Sequence, residues 1–109
     1  MIDYIIATQY TETPGPRYVK EGTYSGEDFR DSVLKNLLNQ AKNENKRIMI
    51  DFDGGYGYPT SFLEEAFGGL VRDTKDKKIA NLFEFKSDEE PALIDEVKLY
   101  ISEAIKALK

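Results

Sequence analysis

The chain has 109 residues, of which 40% are hydrophobic and 32% are charged, and 20 acidic against 15 basic residues give a net charge of −5. This size and composition predict one globular domain over residues 1–109. Because cysteine and histidine are both absent, disulfides, thiolate zinc sites, cysteine nucleophiles and the usual general base are excluded. The acidic balance argues against nucleic acid as a partner.

The first residues show neither the basic start nor the long apolar run of a secretory signal, and no apolar stretch reaches the roughly 20 residues of a membrane helix. We therefore expect a cytoplasmic protein that does not bind membranes.

In chain order, the first half predicts a strand at residues 2–8 and then a long loop at residues 9–24, with a short strand at residues 17–20. A helix is expected to begin at Ser25 and to end near Asn43, because apolar residues recur there at helical spacing.

The second half predicts a buried strand at residues 47–52, a turn rich in glycine and tyrosine, and a helix whose capping box starts at Ser61. A strand at residues 79–85 and a last helix after Ser87 follow. Gly68 and Gly69 lie inside the apolar stripe of the second helix and predict a close approach of this helix to the sheet or to a partner.

This alternation predicts an α/β fold, a small single-domain sandwich with about four mostly parallel strands and three helices. Sites in such sheets lie at the carboxyl ends of the strands. Two segments are expected at that edge, residues 9–24 and residues 51–61.

Two acidic residues follow the middle strand. Asp51 and Asp53, in an Asp-x-Asp-Gly sequence, resemble the first motif of haloacid-dehalogenase-type phosphotransferases. They are weak metal candidates for an alternative function, a small-ligand or phosphate site or a magnesium-dependent phosphoryl transfer at the turn from Asp51 to Ser61. The structural alternative is that both carboxylates accept hydrogen bonds from loop amides.

Thr60 and Ser61 are candidate phosphoacceptors, because a hydroxyl at a helix N-terminus meets free N–H groups and a positive dipole. The structural alternative is that Ser61 caps the helix, which is worth about 1 kcal/mol.

Aromatic residues are concentrated in both segments. Tyrosine and arginine are enriched in protein interfaces, so these residues predict a partner-binding patch. The alternative is that the rings cover the open end of the core. The residues concerned are Tyr10, Arg17, Tyr18, Tyr24, Tyr56 and Tyr58.

The string from Ser61 to Arg72, preceded by residues 50–54, closely resembles the STAS-like family of small bacterial and phage proteins of unknown function. Residues 15–17, residues 25–30 and Leu34 also resemble the first half of that family. The resemblance covers about residues 14–106.

The resemblance implies a STAS-like α/β domain that regulates through a partner, without catalysis and without a cofactor. The broader STAS group includes anti-sigma-factor antagonists, whose ATPase-fold kinases phosphorylate a serine that Ser61 matches in position. The usual Asp-Ser-Ser/Thr-Gly of that group is replaced here by residues 59–62, Pro-Thr-Ser-Phe. Interaction without phosphorylation therefore stays open.

We accordingly expect a non-enzymatic regulatory interaction module. Its partner would be an ATPase-fold kinase, an anti-sigma factor or a second copy in a homodimer, and a phage- or defence-associated inhibitor of a host protein is a further alternative. The expected partner-binding residues are Arg17, Tyr18, Arg30, Tyr56, Tyr58, Phe62 and Glu65.

Overall fold

A computed structural model describes residues 1–108 as a sheet of three parallel strands covered by helices. The strands are β1 (Ile2–Ile5), β2 (Ile48–Asp51) and β3 (Phe83–Lys86), in the order β1-β2-β3. Ile2 is level with Ile48, and Ile48 with Phe83. The predicted α/β class and parallel sheet are confirmed.

The sheet has three strands and not the expected four or so, because residues 17–20 do not form a strand. Val19–Glu21 is instead a single 3-10 turn. The Glu21 carboxylate closes this turn by accepting a hydrogen bond from Tyr18 N at 3.1 Å. The side chain thus satisfies a backbone donor that a strand would have had to pair with a neighbour.

Four helices accompany the sheet. The first, α1 (Ile6–Gln9), is a single turn that ends the first strand earlier than predicted. The second, α2, spans residues 26–44 and is π-helical over Phe29–Leu34, and the third, α3, spans residues 60–74 and is π-helical over Glu64–Gly68. The fourth is α4 (Ala92–Ala107). A 3-10 segment, Ile79–Leu82, replaces the first half of the strand predicted at residues 79–85.

The core lies between one face of the sheet and the helices. Alternate strand residues such as Ile48 and Ile50 are fully buried, whereas Asp3 and Lys86 on the other face are exposed. This alternation of buried and exposed residues has the period of two that a strand with one covered face requires. The core is rich in phenylalanine: Phe29, Phe52, Phe62, Phe67 and Phe83.

The two main helices, α2 and α3, begin in different ways. Ser25 caps α2 by accepting a hydrogen bond from Asp28 N at 3.0 Å, as predicted. The predicted cap at Ser61 is wrong: Pro59, in an extended conformation, is the residue that precedes the first turn of α3. Since the helix therefore begins at Thr60, Ser61 lies inside its first turn. None of the helices within residues 1–108 is both long and apolar enough to cross a membrane.

Candidate functional site

Two loops meet at the carboxyl ends of the strands, and we call them together the loop edge (residues 10–24 and 52–59). The first follows β1 and α1, and the second follows β2. Tyr56 N donates a hydrogen bond to Glu12 O at 2.9 Å, so the second loop is fastened to the first. The parallel topology thus brings together the two segments that the sequence places there.

The loop edge exposes four large hydrophobic side chains. The exposed fractions are 40% for Tyr18, 46% for Tyr24, 56% for Val19 and 83% for Tyr56. Tyr56 stands at the tip of a turn in which Gly54 has φ +93° and Gly57 has φ +120°. Only glycine adopts such angles at little cost, so the turn can bend sharply on either side of the tyrosine.

Two other tyrosines, Tyr10 and Tyr58, hold the loops against the core. Tyr10 donates a hydrogen bond to the Asp28 carboxylate at 2.5 Å, and Tyr58 donates one to Phe52 O at 3.0 Å. Burial raises the pKa of Tyr58, and nearby acidic groups raise it further. The Tyr58 ring packs edge-on against Phe52, with the centroids 5.2 Å apart. Tyr58 therefore holds the second loop on the core and keeps only part of its surface free.

Beside the loop edge lies an ion network between α2 and α3. Arg17 Nη1 is 2.6 Å from Glu64 Oε1 and 3.3 Å from Glu65 Oε1. Arg30 Nη1 is 2.5 Å from Glu65 Oε2, and both of these side chains are buried. Hydrogen bonds from Arg72, and then from Arg17, lower the pKa of Glu64. Glu65 thus pairs with both Arg17 and Arg30.

The ring of Phe62 is fully buried and packs against Phe29, with the ring centroids 5.6 Å apart. Of the seven expected partner-binding residues, Phe62 therefore belongs to the core. Arg30 and Glu65 belong to the contact between α2 and α3, which we call the helix junction (residues 25–30 and 61–72). Tyr18 and Tyr56 lie free on the loop edge.

Glycines make the helix junction possible. A Cβ on Gly26 would lie 2.5 Å from Phe62 O, and a Cβ on Gly69 would lie 3.1 Å from both Arg30 Nη1 and Glu65 Oε2. The expected close approach of the glycine pair to the sheet is wrong: Gly69 faces the Arg30–Glu65 ion pair, and Gly68 faces the Glu64 and Arg72 side chains of α3 itself. The most distinctive strings of the sequence, at residues 25–30 and 61–72, build this junction.

The acidic turn after β2 is organised by hydrogen bonds. Asp53 accepts from Asp88 N at 3.1 Å and from Glu89 N at 3.0 Å, and Lys86 Nζ lies 2.7 Å from its carboxylate. The Glu89 amide, together with Lys86, lowers the pKa of Asp53 to about 2. Asp51 Oδ1 accepts from Asp53 N at 2.9 Å.

These bonds favour the structural interpretation of both aspartates as acceptors for loop amides. Residues 1–108 contain no group of three or more acidic side chains placed to hold a metal ion.

The candidate phosphoacceptors lie where the loop edge meets α3. Thr60 is exposed and Ser61 is partly exposed. Ser61 precedes Glu64 by three residues, so the two share a helix face.

Sequence reasoning missed three participants: Glu64 as the partner of Arg17, Lys86 as the cation beside Asp53, and Glu12 as the anchor of Tyr56. The position of Lys86 at the end of the neighbouring parallel strand was the available signal for one of them.

Comparison with known proteins gives one relationship. The family described as STAS-like domain of unknown function (DUF4325) matches residues 25–92, more than half of the chain. No curated protein matches the chain significantly, and no solved structure does. The match includes Ser25, the whole helix junction and the second loop of the loop edge. The chain therefore belongs to this family of STAS-like domains of unknown function.

Proposed function

We propose that this protein is a non-enzymatic regulatory module that docks a protein partner on its loop edge. The observation that carries the proposal is the group of exposed side chains there, Tyr18, Val19, Tyr24 and Tyr56. Tyrosine supplies a large contact area with little rotational freedom to lose, which is why it is enriched in binding hot spots. The STAS-like family supports an interaction domain in general terms and names no partner.

The loops are held in place before any partner arrives. Arg17 fastens the first loop to α3 through Glu64, and Gly26 N donates to Pro16 O at 2.9 Å. The second loop is fastened to the first by the Tyr56–Glu12 hydrogen bond. A surface ordered in advance loses less conformational entropy on binding than a flexible one. This supports the loop edge as a docking surface of fixed shape.

The partners that we propose are an ATPase-fold kinase, an anti-sigma factor or a second copy of the chain, acting in the cytoplasm of a bacterial or phage-infected cell. Ser61, or its neighbour Thr60, is the site through which a kinase would act. A phosphoryl group on Ser61 adds about −1.5 to −2 charges one helical turn before Glu64. It would compete with Glu64 for Arg17, which lies 2.6 Å away from that carboxylate. The first loop would then be held to α3 through Ser61 and no longer through Glu64.

The experiment is site-specific photocrosslinking in cells. A photoreactive phenylalanine analogue replaces Tyr56, Tyr18 or, as the control, Leu99 on α4, which is also exposed, at 53%. We expect positions 56 and 18 to give the same discrete crosslinked protein and position 99 not to give it. In the same experiment, Ser61→Asp is expected to change the yield at position 18 and Ser61→Ala to leave it unchanged. Equal crosslinking from positions 56 and 99, or none from 56, would contradict the proposal.

The non-enzymatic part has its own test. Magnesium-dependent hydrolysis of a panel of phosphoesters that is lost in Asp51→Asn would contradict it. We expect no such turnover, because the Asp53 carboxylate is already engaged by two backbone amides and by Lys86.

A further inference from the structure

The outer edge of β3 is open along an apolar groove. Lys86 O accepts a hydrogen bond from Phe52 N at 2.8 Å, so residues 84 and 86 turn their backbone groups toward β2. By alternation, the backbone N–H and C=O of Phe85 point away from the sheet. Next to them lies a groove of about 430 Å³ between β3 and α4, lined by Phe83, Phe85, Ile101 and Ile105 among others. An unpaired edge beside an apolar groove is a template for another strand.

The sequence of β3 indicates which strand fits there. Phe83–Lys86 reads Phe-Glu-Phe-Lys, with both phenylalanines on the helix side and both charges on the open side of the sheet. A second copy of β3 that pairs antiparallel can keep its phenylalanines on the helix side of the sheet in two central registers. In one, Phe85 lies opposite the Phe85 of a second copy, and each Glu84 lies opposite a Lys86. In the other, Glu84 lies opposite Glu84. Because opposite charges stabilise a cross-strand pair and like charges destabilise it, the first register is selected.

The existing contacts of these charges leave room for such pairs. Glu84 is 3.0 Å from Arg47 and Lys86 is 2.7 Å from Asp53, yet 38% of Glu84 and 44% of Lys86 remain exposed. Arg47 also donates to Phe83 O at 3.4 Å, which covers the start of the edge. The centre of the edge, at Phe85, stays uncovered.

We propose that β3 pairs antiparallel with β3 of a second copy, about a two-fold axis at Phe85, so that two three-stranded sheets join into one of six strands. The charges of Glu84 and Lys86 fix the register, and the phenylalanines of both copies fill the grooves beside α4. This surface lies on a sheet edge and is separate from the loop edge, so the two proposals stand or fall independently.

Disulfide trapping tests the register directly, because the chain has no cysteine of its own. Glu84→Cys in one chain and Lys86→Cys in another would place their Cα atoms about 4.5 Å apart, within disulfide reach. We expect a crosslinked dimer from the mixture and little from either variant alone, since identical positions are then offset by two residues. A mixture of Glu84→Cys with Asp3→Cys, on the opposite edge, is the control and should stay monomeric. Crosslinking of Glu84→Cys with itself, or equal yields in both mixtures, would overturn the proposal.

Sedimentation of the cysteine-free chain tests the association itself. We expect the mass to rise with concentration to twice that of the monomer, and Glu84→Lys or Lys86→Glu to weaken dimerisation about tenfold. An equimolar mixture of the two variants should associate more tightly than either alone, and the double exchange should restore self-association. Circular dichroism checks that each variant is folded. A chain that stays monomeric at all concentrations, or a mixture no tighter than its components, would overturn the proposal.

Discussion

The helix junction and the loop edge lie side by side, and they differ in what their side chains contact. At the junction, Arg30 and Glu65 are buried against each other and Gly26 lets the helices touch. On the loop edge, Tyr18 and Tyr56 are exposed although they belong to residue types that usually bury much of their surface. The side chains of the junction stabilise the fold, whereas those of the loop edge remain accessible to a partner.

This contrast shows that the residues that are most distinctive in the sequence are not the residues that are accessible for binding. The strings that carry most of the family resemblance, at residues 25–30 and 61–72, lie largely in the junction. The exposed tyrosines stand in the loops, outside every string of the resemblance. In this protein, the recognisable motif therefore explains stability, and the less recognisable loops carry the proposed function.

The largest expected effect is at the junction. Glu65→Ala removes the carboxylate nearest to the buried Arg30, which keeps Asp31 at 2.8 Å and Asp73 at 3.2 Å. We expect the free energy of unfolding to fall by about 3 kcal/mol, the low end for breaking a buried pair. Lys42→Ala is the control, because the Lys42–Asp76 pair is more exposed and is worth less than about 1 kcal/mol. Urea denaturation of both variants gives the comparison. Similar losses of unfolding free energy in the two variants would show that the Arg30–Glu65 pair stabilises the fold no more than an exposed pair does.

A second prediction compares two glycines in the same junction. Gly26→Ala should destabilise the fold by about 2 kcal/mol, because the new methyl group would collide with the backbone at Phe62 O. Gly68→Ala meets only the ends of the Glu64 and Arg72 side chains, which can move. It should be neutral or stabilising by up to about 1 kcal/mol, since alanine is the better helix former. Thermal unfolding distinguishes them, and equal losses would refute the close contact at Gly26.

A third prediction concerns the acidic turn after β2, which contains Asp53. The pKa of Asp53 is lowered to about 2 in the folded chain, below the value of about 3.9 for an unfolded aspartate. Its charged form therefore stabilises the fold above pH 4, and this contribution is lost as the pH falls toward 2. Asp53→Asn should be less stable than the wild type at pH 6, and the difference should shrink as the pH falls to 2. A difference that is constant with pH would show that the carboxylate is not held in this way.

The smallest effect on stability is expected on the loop edge. Tyr18→Ala and Tyr56→Ala, singly or together, should change the free energy of unfolding by less than about 0.5 kcal/mol, because these rings are largely in solvent. Chemical denaturation measures it. A loss above 1 kcal/mol for Tyr56→Ala would place that ring in the fold and not on a free surface.

Much of the fold follows from local patterns, and the site follows less well. The helical periodicity of residues 26–44 and the short apolar run at residues 47–52 predict their elements, because burial imposes a pattern on the sequence. The helix start at Thr60 was missed, since Pro59 could take the capping place without a side-chain acceptor. The sequence favours a partner surface for Arg30 and Glu65, whereas two π-helical segments bring these residues together between α2 and α3. Such pairing depends on distant residues, and no local pattern contains it.

Hydrogen exchange on the complex with the protein captured from positions 56 and 18 tests the central claim most directly. We predict that amides in residues 17–24 and 54–61 become protected on binding, while those of α4 exchange as in the free chain. Protection confined to α4, or spread evenly over the molecule, would contradict the loop edge as the docking surface.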